Sequence, residues 1–191
     1  MKKLIVVAFA LMNINAVSQE VIITPEKINE IINYINHFES NEQMMGNISI
    51  FENGRELVNK TMGTKNDSET SKYSIGSITK LFTAVLFAQM SETNTIDLNE
   101  KLSAYFPQIP NSNKIKITQM LNHTSGLQDY VIKNDSLYFW LNKPIEKREI
   151  IKEIIRQDVS FQPGDRIMYS NSAYYLLARI LEKKLKKPFK Q

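Results

Sequence analysis

A chain of 191 residues with 42% hydrophobic side chains carries enough apolar material for one core of ordinary domain size. It has no cysteine and only two histidines, His37 and His123, without H-E-x-x-H spacing. That excludes disulfides, thiolate zinc sites and a cysteine nucleophile, and it speaks against a metallohydrolase centre; no metal and no cofactor is expected. The net charge is +4, with Lys and Arg interspersed among Asp and Glu, and the one dense patch, "EKKLKKPFK", reads as a solvated helix end, so no nucleic-acid partner is expected.

The first residues, "MKKLIVVAFALMNINAVSQE", have a basic start, an apolar run from Leu4 to Met12 and a small-x-small site at Ala16-Val17-Ser18. This is the layout of a secretory signal peptide over residues 1–18, too short in its apolar run to remain as a membrane anchor. Cleavage before Gln19 would remove Lys2 and Lys3 from the +4 and leave +2. The expectation is an exported protein, periplasmic or secreted, whose domain occupies residues 19–191 and has no stable membrane insertion.

"TPEKINEIINYINHFES" predicts a helix capped by Thr24, with Pro25 in its first turn and Ile28, Ile31, Ile32, Ile35 and Phe38 on one stripe. His37 lies off that stripe, as a surface histidine. Two antiparallel strands follow, joined by Asn53-Gly54, a hairpin turn signal. "TKNDSETSK" is a polar loop. The next stretch, "YSIGSITKLFTAVLFAQM", is so apolar that it reads as a helix buried nearly all round, yet it opens with Ser77 and carries Lys80.

The second half is turn-rich at "ETNTIDLNEKLSAYFPQIP". A helix is expected to begin near Thr118 and end before Gly126, and another where Ile150, Ile151, Ile154, Ile155 and Val159 recur at helical spacing. "FQPGDRIMYSN" reads as a loop around Pro163-Gly164, and "SAYYLLARILEKKLKK" as a final amphipathic helix. Helix, hairpin and helical cluster together give an α+β class.

Ser77-Ile78-Thr79-Lys80 is the one S-x-x-K element in the chain. Positions i and i+3 share a helix face, so the amine can reach the hydroxyl. A serine hydroxyl needs a base to take its proton, and lysine serves only as the free amine, a form favoured by burial and by the positive end of a helix. The bland alternative is a capping serine with a lysine that snorkels to solvent. Gly76 leaves room for a substrate beside the backbone. Tyr169 and Asn171 form a second element: a tyrosine can share a proton with a lysine, and an asparagine amide can hold a carbonyl or an amine. Tyr34-Ile35-Asn36 has the same Y-x-N spacing inside the first helix, where packing explains it.

"YSIGSITKLFTAVLFAQM", "IDLNEKLSAYFPQIP", "ITQMLNHTSGL" and "FQPGDRIMYSNSAYYLLARILE" occur in that order. Together they resemble the serine β-lactamase-related hydrolases of the class C type, a group of β-lactamases, D-alanyl-D-alanine carboxypeptidases, D-aminopeptidases and esterases. The resemblance runs from about Gly46 to Phe189. It implies a β-lactamase/transpeptidase-like fold, a helical cluster with an antiparallel sheet. It also implies a small-molecule or peptide substrate bearing an amide or ester. By the same resemblance, Ser77 is the acylated nucleophile, Lys80 its proton acceptor, Tyr169 an aid to proton transfer and Asn171 a holder of the substrate amide and the lysine. The Ser77 backbone N–H would be half of an oxyanion hole, and "HTSGL", residues 123–127, would be a structural turn. The family's third motif, K-T-G or H-x-G, and the later sheet strands are absent from these residues, and Lys186 stands where a glycine is usual. A catalytically inert relative that binds cell-wall peptide or a partner is therefore the alternative expectation.

Overall fold

The computed structural model describes residues 23–63, 70–133, 136–137 and 145–189, so the expected signal segment lies outside the described residues. The chain divides into two compact units, with the boundary between Tyr73 and Ser74.

In the first unit, helix α1 (Pro25–Ser40) begins where the Thr24 hydroxyl accepts from the Lys27 N–H at 3.3 Å and Pro25 occupies the first turn. Strands β1 (Gly46–Glu52) and β2 (Arg55–Met62) pair antiparallel. Asn53 and Gly54 turn the chain with φ of 48° and 79°, the left-handed pair that a two-residue hairpin requires. The register slips after Ile50, which faces Val58 while Phe51 faces Glu56; Leu57 is the extra residue of a bulge. The α1 stripe buries Ile35 against Val58 and Met62, which gives this small sheet the apolar cover it needs. His37 is exposed, as its position off the stripe predicts.

The second unit holds the larger core. Helices α2 (Thr79–Glu92), α3 (Ile117–Leu121), α4 (Lys147–Gln157) and α5 (Asn171–Leu185) surround a cluster that includes Phe87, Leu102, Met120, Ile154, Leu177 and Ile180, all at most 1% exposed. A short hairpin, β3 (Ile132–Lys133) with β4 (Ser136–Leu137), completes the elements described.

One expectation is corrected here. Helix α2 is not buried all round. Thr83, Phe87 and Met90 face the core, whereas Ile78, Leu81, Phe82 and Val85 are between 46% and 63% exposed. These four recur at i, i+3, i+4 and i+7 and so form the opposite stripe of the helix. Helix α3 stops at Leu121, before Gly126 as expected. Its end is closed by the backbone: the Thr124 N–H donates to Gln119 O at 2.8 Å and the His123 N–H to Met120 O at 3.4 Å, around His123 with its positive φ of 62°. Asn122 Oδ1 adds to this turn, accepting from the Thr124 hydroxyl at 2.6 Å.

The loop before α5 is tied to the turn after α3 at Gly126. The Ser160 N–H donates to Gly126 O at 2.9 Å, and the Gly164 N–H donates to Thr124 O at 2.8 Å. Gly126 has φ +80°, and a Cβ there would lie 2.2 Å from Phe161 O, a backbone atom. Gly126→Ala therefore combines steric overlap with an unfavourable backbone region, and a loss of about 3 kcal/mol or more in urea unfolding is expected.

Candidate active site

The site is assembled at one end of two helices. Gly76 to Ile78 form a single 3-10 turn that leads into α2. Lys80, in the first turn of α2, is three positions beyond Ser77 and so shares its face of the chain. Gly76 has φ +51°, and no atom lies within 4 Å of where its Cβ would be; the glycine serves the turn, and the space beside it is open. Ser77 is exposed and Lys80 half-buried.

Lys80 Nζ lies 3.2 Å from Ser77 Oγ and 2.7 Å from Asn171 Oδ1, donating to both. The Ser77 and Tyr169 hydroxyl oxygens are 2.7 Å apart, and either can donate. Lys80 Nζ also sits 4.9 Å from the Tyr169 ring centroid and 5.5 Å from that of Tyr174, within cation–π range. The structure thus brings together Ser77, Lys80, Tyr169 and Asn171, from segments 89 or more positions apart, around one hydroxyl. Lys80 does not snorkel away.

Asn171 is the first residue of α5, and Ser170 caps that helix by accepting the Ala173 N–H at 3.1 Å. This first turn is gripped by the chain that leaves α3. His123 O accepts the Met168 N–H at 2.9 Å, and His123 Nδ1 accepts the Ser170 N–H at 3.2 Å. The Tyr130 N–H donates to Ser172 Oγ at 2.9 Å, and the Tyr174 hydroxyl donates to Leu121 O at 2.8 Å. Asp129 Oδ2 accepts from Asn171 Nδ2 at 2.8 Å. The His123 ring stacks on Tyr169 with centroids 4.6 Å apart and on Tyr174 at 5.1 Å.

Residues 123–127 are therefore a turn, as expected, but one whose histidine touches the machinery. His123, Asp129 and Tyr174 escaped the sequence reading. Their contacts reach across 42 to 53 positions in the chain, and no local spacing marks them.

Burial, followed by the nearby Lys80 charge, holds the His123 imidazole below its ordinary range, against an opposing pull from Asp129. A neutral ring is what the geometry needs, because Nδ1 must accept from Ser170. The unfolded chain takes up this proton first, so stability is intact above about pH 6.5 and falls as the pH drops below it. His123→Asn keeps a side chain that tolerates positive φ and can accept from Ser170. Between pH 7.5 and 5.5 the melting temperature of this variant is expected to fall less than that of the wild type.

A serine with a lysine and a tyrosine on one hydroxyl, at the head of a helix in an α+β fold, is an arrangement that suits nucleophilic catalysis by the serine. The chain belongs to the Beta-lactamase family, whose model matches residues 42–191. It is 28% identical over 155 residues to Protein flp of Staphylococcus aureus strain MW2, which covers 75% of this chain and 30% of that protein. It is 24% identical over 173 residues to the teichoic acid D-alanine hydrolase of Staphylococcus aureus, 84% of this chain and 42% of that one. Among solved structures, D-amino acid amidase from Ochrobactrum anthropi SV3 complexed with L-phenylalanine superposes with a TM-score of 0.68 at 25% identity, over 84% of this chain and 46% of the amidase. The chain thus spans less than half the length of these relatives.

Proposed function

We propose that the chain carries the acylation centre of an exported serine hydrolase of the class C type that cleaves amide or ester bonds. Ser77 is the nucleophile and Lys80 the general base. Tyr169 passes the proton toward the leaving group, and Asn171 holds the lysine and the substrate amide. Substrates are small molecules or peptides with a D-amino-acid amide, an ester or a β-lactam ring. The reading is supported by relatives named as a D-amino acid amidase and a teichoic acid D-alanine hydrolase. The second of these names, with teichoic acid in it, also supports export.

One observation carries the reading: Ser77 Oγ lies 3.2 Å from Lys80 Nζ, which as the free amine can take its proton, and 2.7 Å from Tyr169 Oη. Attack on an acyl carbon forms the Oγ–C bond as the Ser77 proton moves to the Lys80 amine. Collapse of the tetrahedral intermediate then breaks the bond to the leaving group, which receives a proton through Tyr169. The Ser77 N–H would donate to the developing oxyanion. The test is incubation with a fluorescent penicillin and, separately, a fluorophosphonate, followed by peptide mapping. Label on Ser77 is the expected result. A folded protein left unlabelled there by both reagents would sink the proposal.

A further inference from the structure

The orientation of the Asn171 amide decides which of its ends meets Lys80, and the residue that sets it lies outside the group described so far. An amide offers a donor end, Nδ2, and an acceptor end, Oδ1, whereas an ionised carboxylate only accepts. Asp129 Oδ2 accepts from Asn171 Nδ2 at 2.8 Å and from the Asn171 N–H at 3.3 Å. Asp129 Oδ1 accepts from the Val131 N–H at 3.0 Å. Both oxygens of Asp129 are thus committed to donors, and the donor end of Asn171 is drawn to one of them. The acceptor end is left to face Lys80 Nζ, 2.7 Å away. Were the amide reversed, its N–H groups would confront the lysine nitrogen and its oxygen would confront the carboxylate. Each of these is a like-with-like contact in a half-buried setting, where such mismatches are costly.

We infer that Asp129 is a positioning residue of the acylation centre, which locks the Asn171 amide with its oxygen toward Lys80 and so keeps the lysine nitrogen over Ser77. This rests on the reading of Ser77 as nucleophile given above. The intervening amide matters as well. A carboxylate placed directly against Lys80 would favour the charged ammonium, which cannot take the serine proton. Asp129 reaches Lys80 through the amide, which transmits orientation without bringing its charge into contact.

Asp129→Ala tests the idea by removing both acceptor oxygens, so that nothing holds the donor end of Asn171 away from Lys80. The rate at which a fluorophosphonate labels Ser77 is measured for wild type, Asp129→Ala, Asn171→Ala and the double variant. Asp129→Ala is expected to slow labelling about tenfold or more when Asn171 is present, and less than about twofold when added to Asn171→Ala, the signature of two residues acting as one unit. Wild-type speed in Asp129→Ala, or a full additive loss in the double variant, would overturn the inference. A general loss of folding predicts the additive result.

A measurement on the wild type alone guards against a variant that does not fold. NMR coupling across the hydrogen bond from Asn171 Nδ2 to the Asp129 carboxyl carbon is expected, and its absence overturns the assignment. Coupling present with Ser77 unlabelled would defeat the nucleophile reading and leave the amide lock standing. Label on Ser77 without coupling would defeat the lock alone.

Discussion

Lys80→Arg is expected to reduce the rate of Ser77 acylation by about 10³-fold while leaving the melting temperature within a few degrees of wild type. The substitution keeps a positive charge near the Tyr169 and Tyr174 rings and keeps donors that can reach Asn171 Oδ1. What it removes is the ability to give up a proton, since a guanidinium stays protonated in proteins. General-base catalysis typically contributes about 10²- to 10⁴-fold, and Lys80 Nζ is 3.2 Å from the hydroxyl it serves. Stopped-flow or quenched labelling with a fluorophosphonate reads the rate, and a melting curve reads the fold. An arginine variant that acylates at wild-type speed would move the base role to Tyr169.

Tyr169→Phe is expected to slow acylation by about 10²-fold, a smaller loss with a different cause. The phenylalanine ring can still stack on His123, so the packing that fixes the loop end is retained. Only the hydroxyl 2.7 Å from Ser77 Oγ is lost. Intact mass measured over time separates formation of the acyl-enzyme from its breakdown. Slower formation with an unchanged end point is the expected pattern, because Lys80 still accepts the serine proton while the leaving group must find its own. Equal losses for Lys80→Arg and Tyr169→Phe would mean that the two side chains form one proton-transfer unit, which the double variant would show by adding nothing further.

The parts of this fold that sequence reading reaches are those with local causes. The α1 stripe, the Asn53-Gly54 hairpin and the Ser77–Lys80 spacing each depend on residues within a turn or two of one another. The parts it misses are decided at a distance. Apolar composition alone cannot say that Leu81, Phe82 and Val85 point away from the core while Thr83 points in. His123 and Asp129 look like parts of a turn until the start of α5 is laid against them. Tyr169 differs from Tyr34 in sequence only by its loop setting. In space, one faces a serine hydroxyl, and the other is an exposed side chain on α1 that packs edge-on against Phe38.

Helix α2 is rooted in the core at one end and open to solvent at the other. Phe87 and Met90 are rooted in the interior, while Ser77, ahead of the first turn, stands in the open. The seven steps from Lys80 to Phe87 measure about 10 Å along the axis. A hollow made by trimming Phe87 would let this piling tilt at its foot, and the nucleophile, at the far tip, would sweep through the widest arc. Damage deep inside would then register as blunted chemistry at the rim before the protein as a whole came apart.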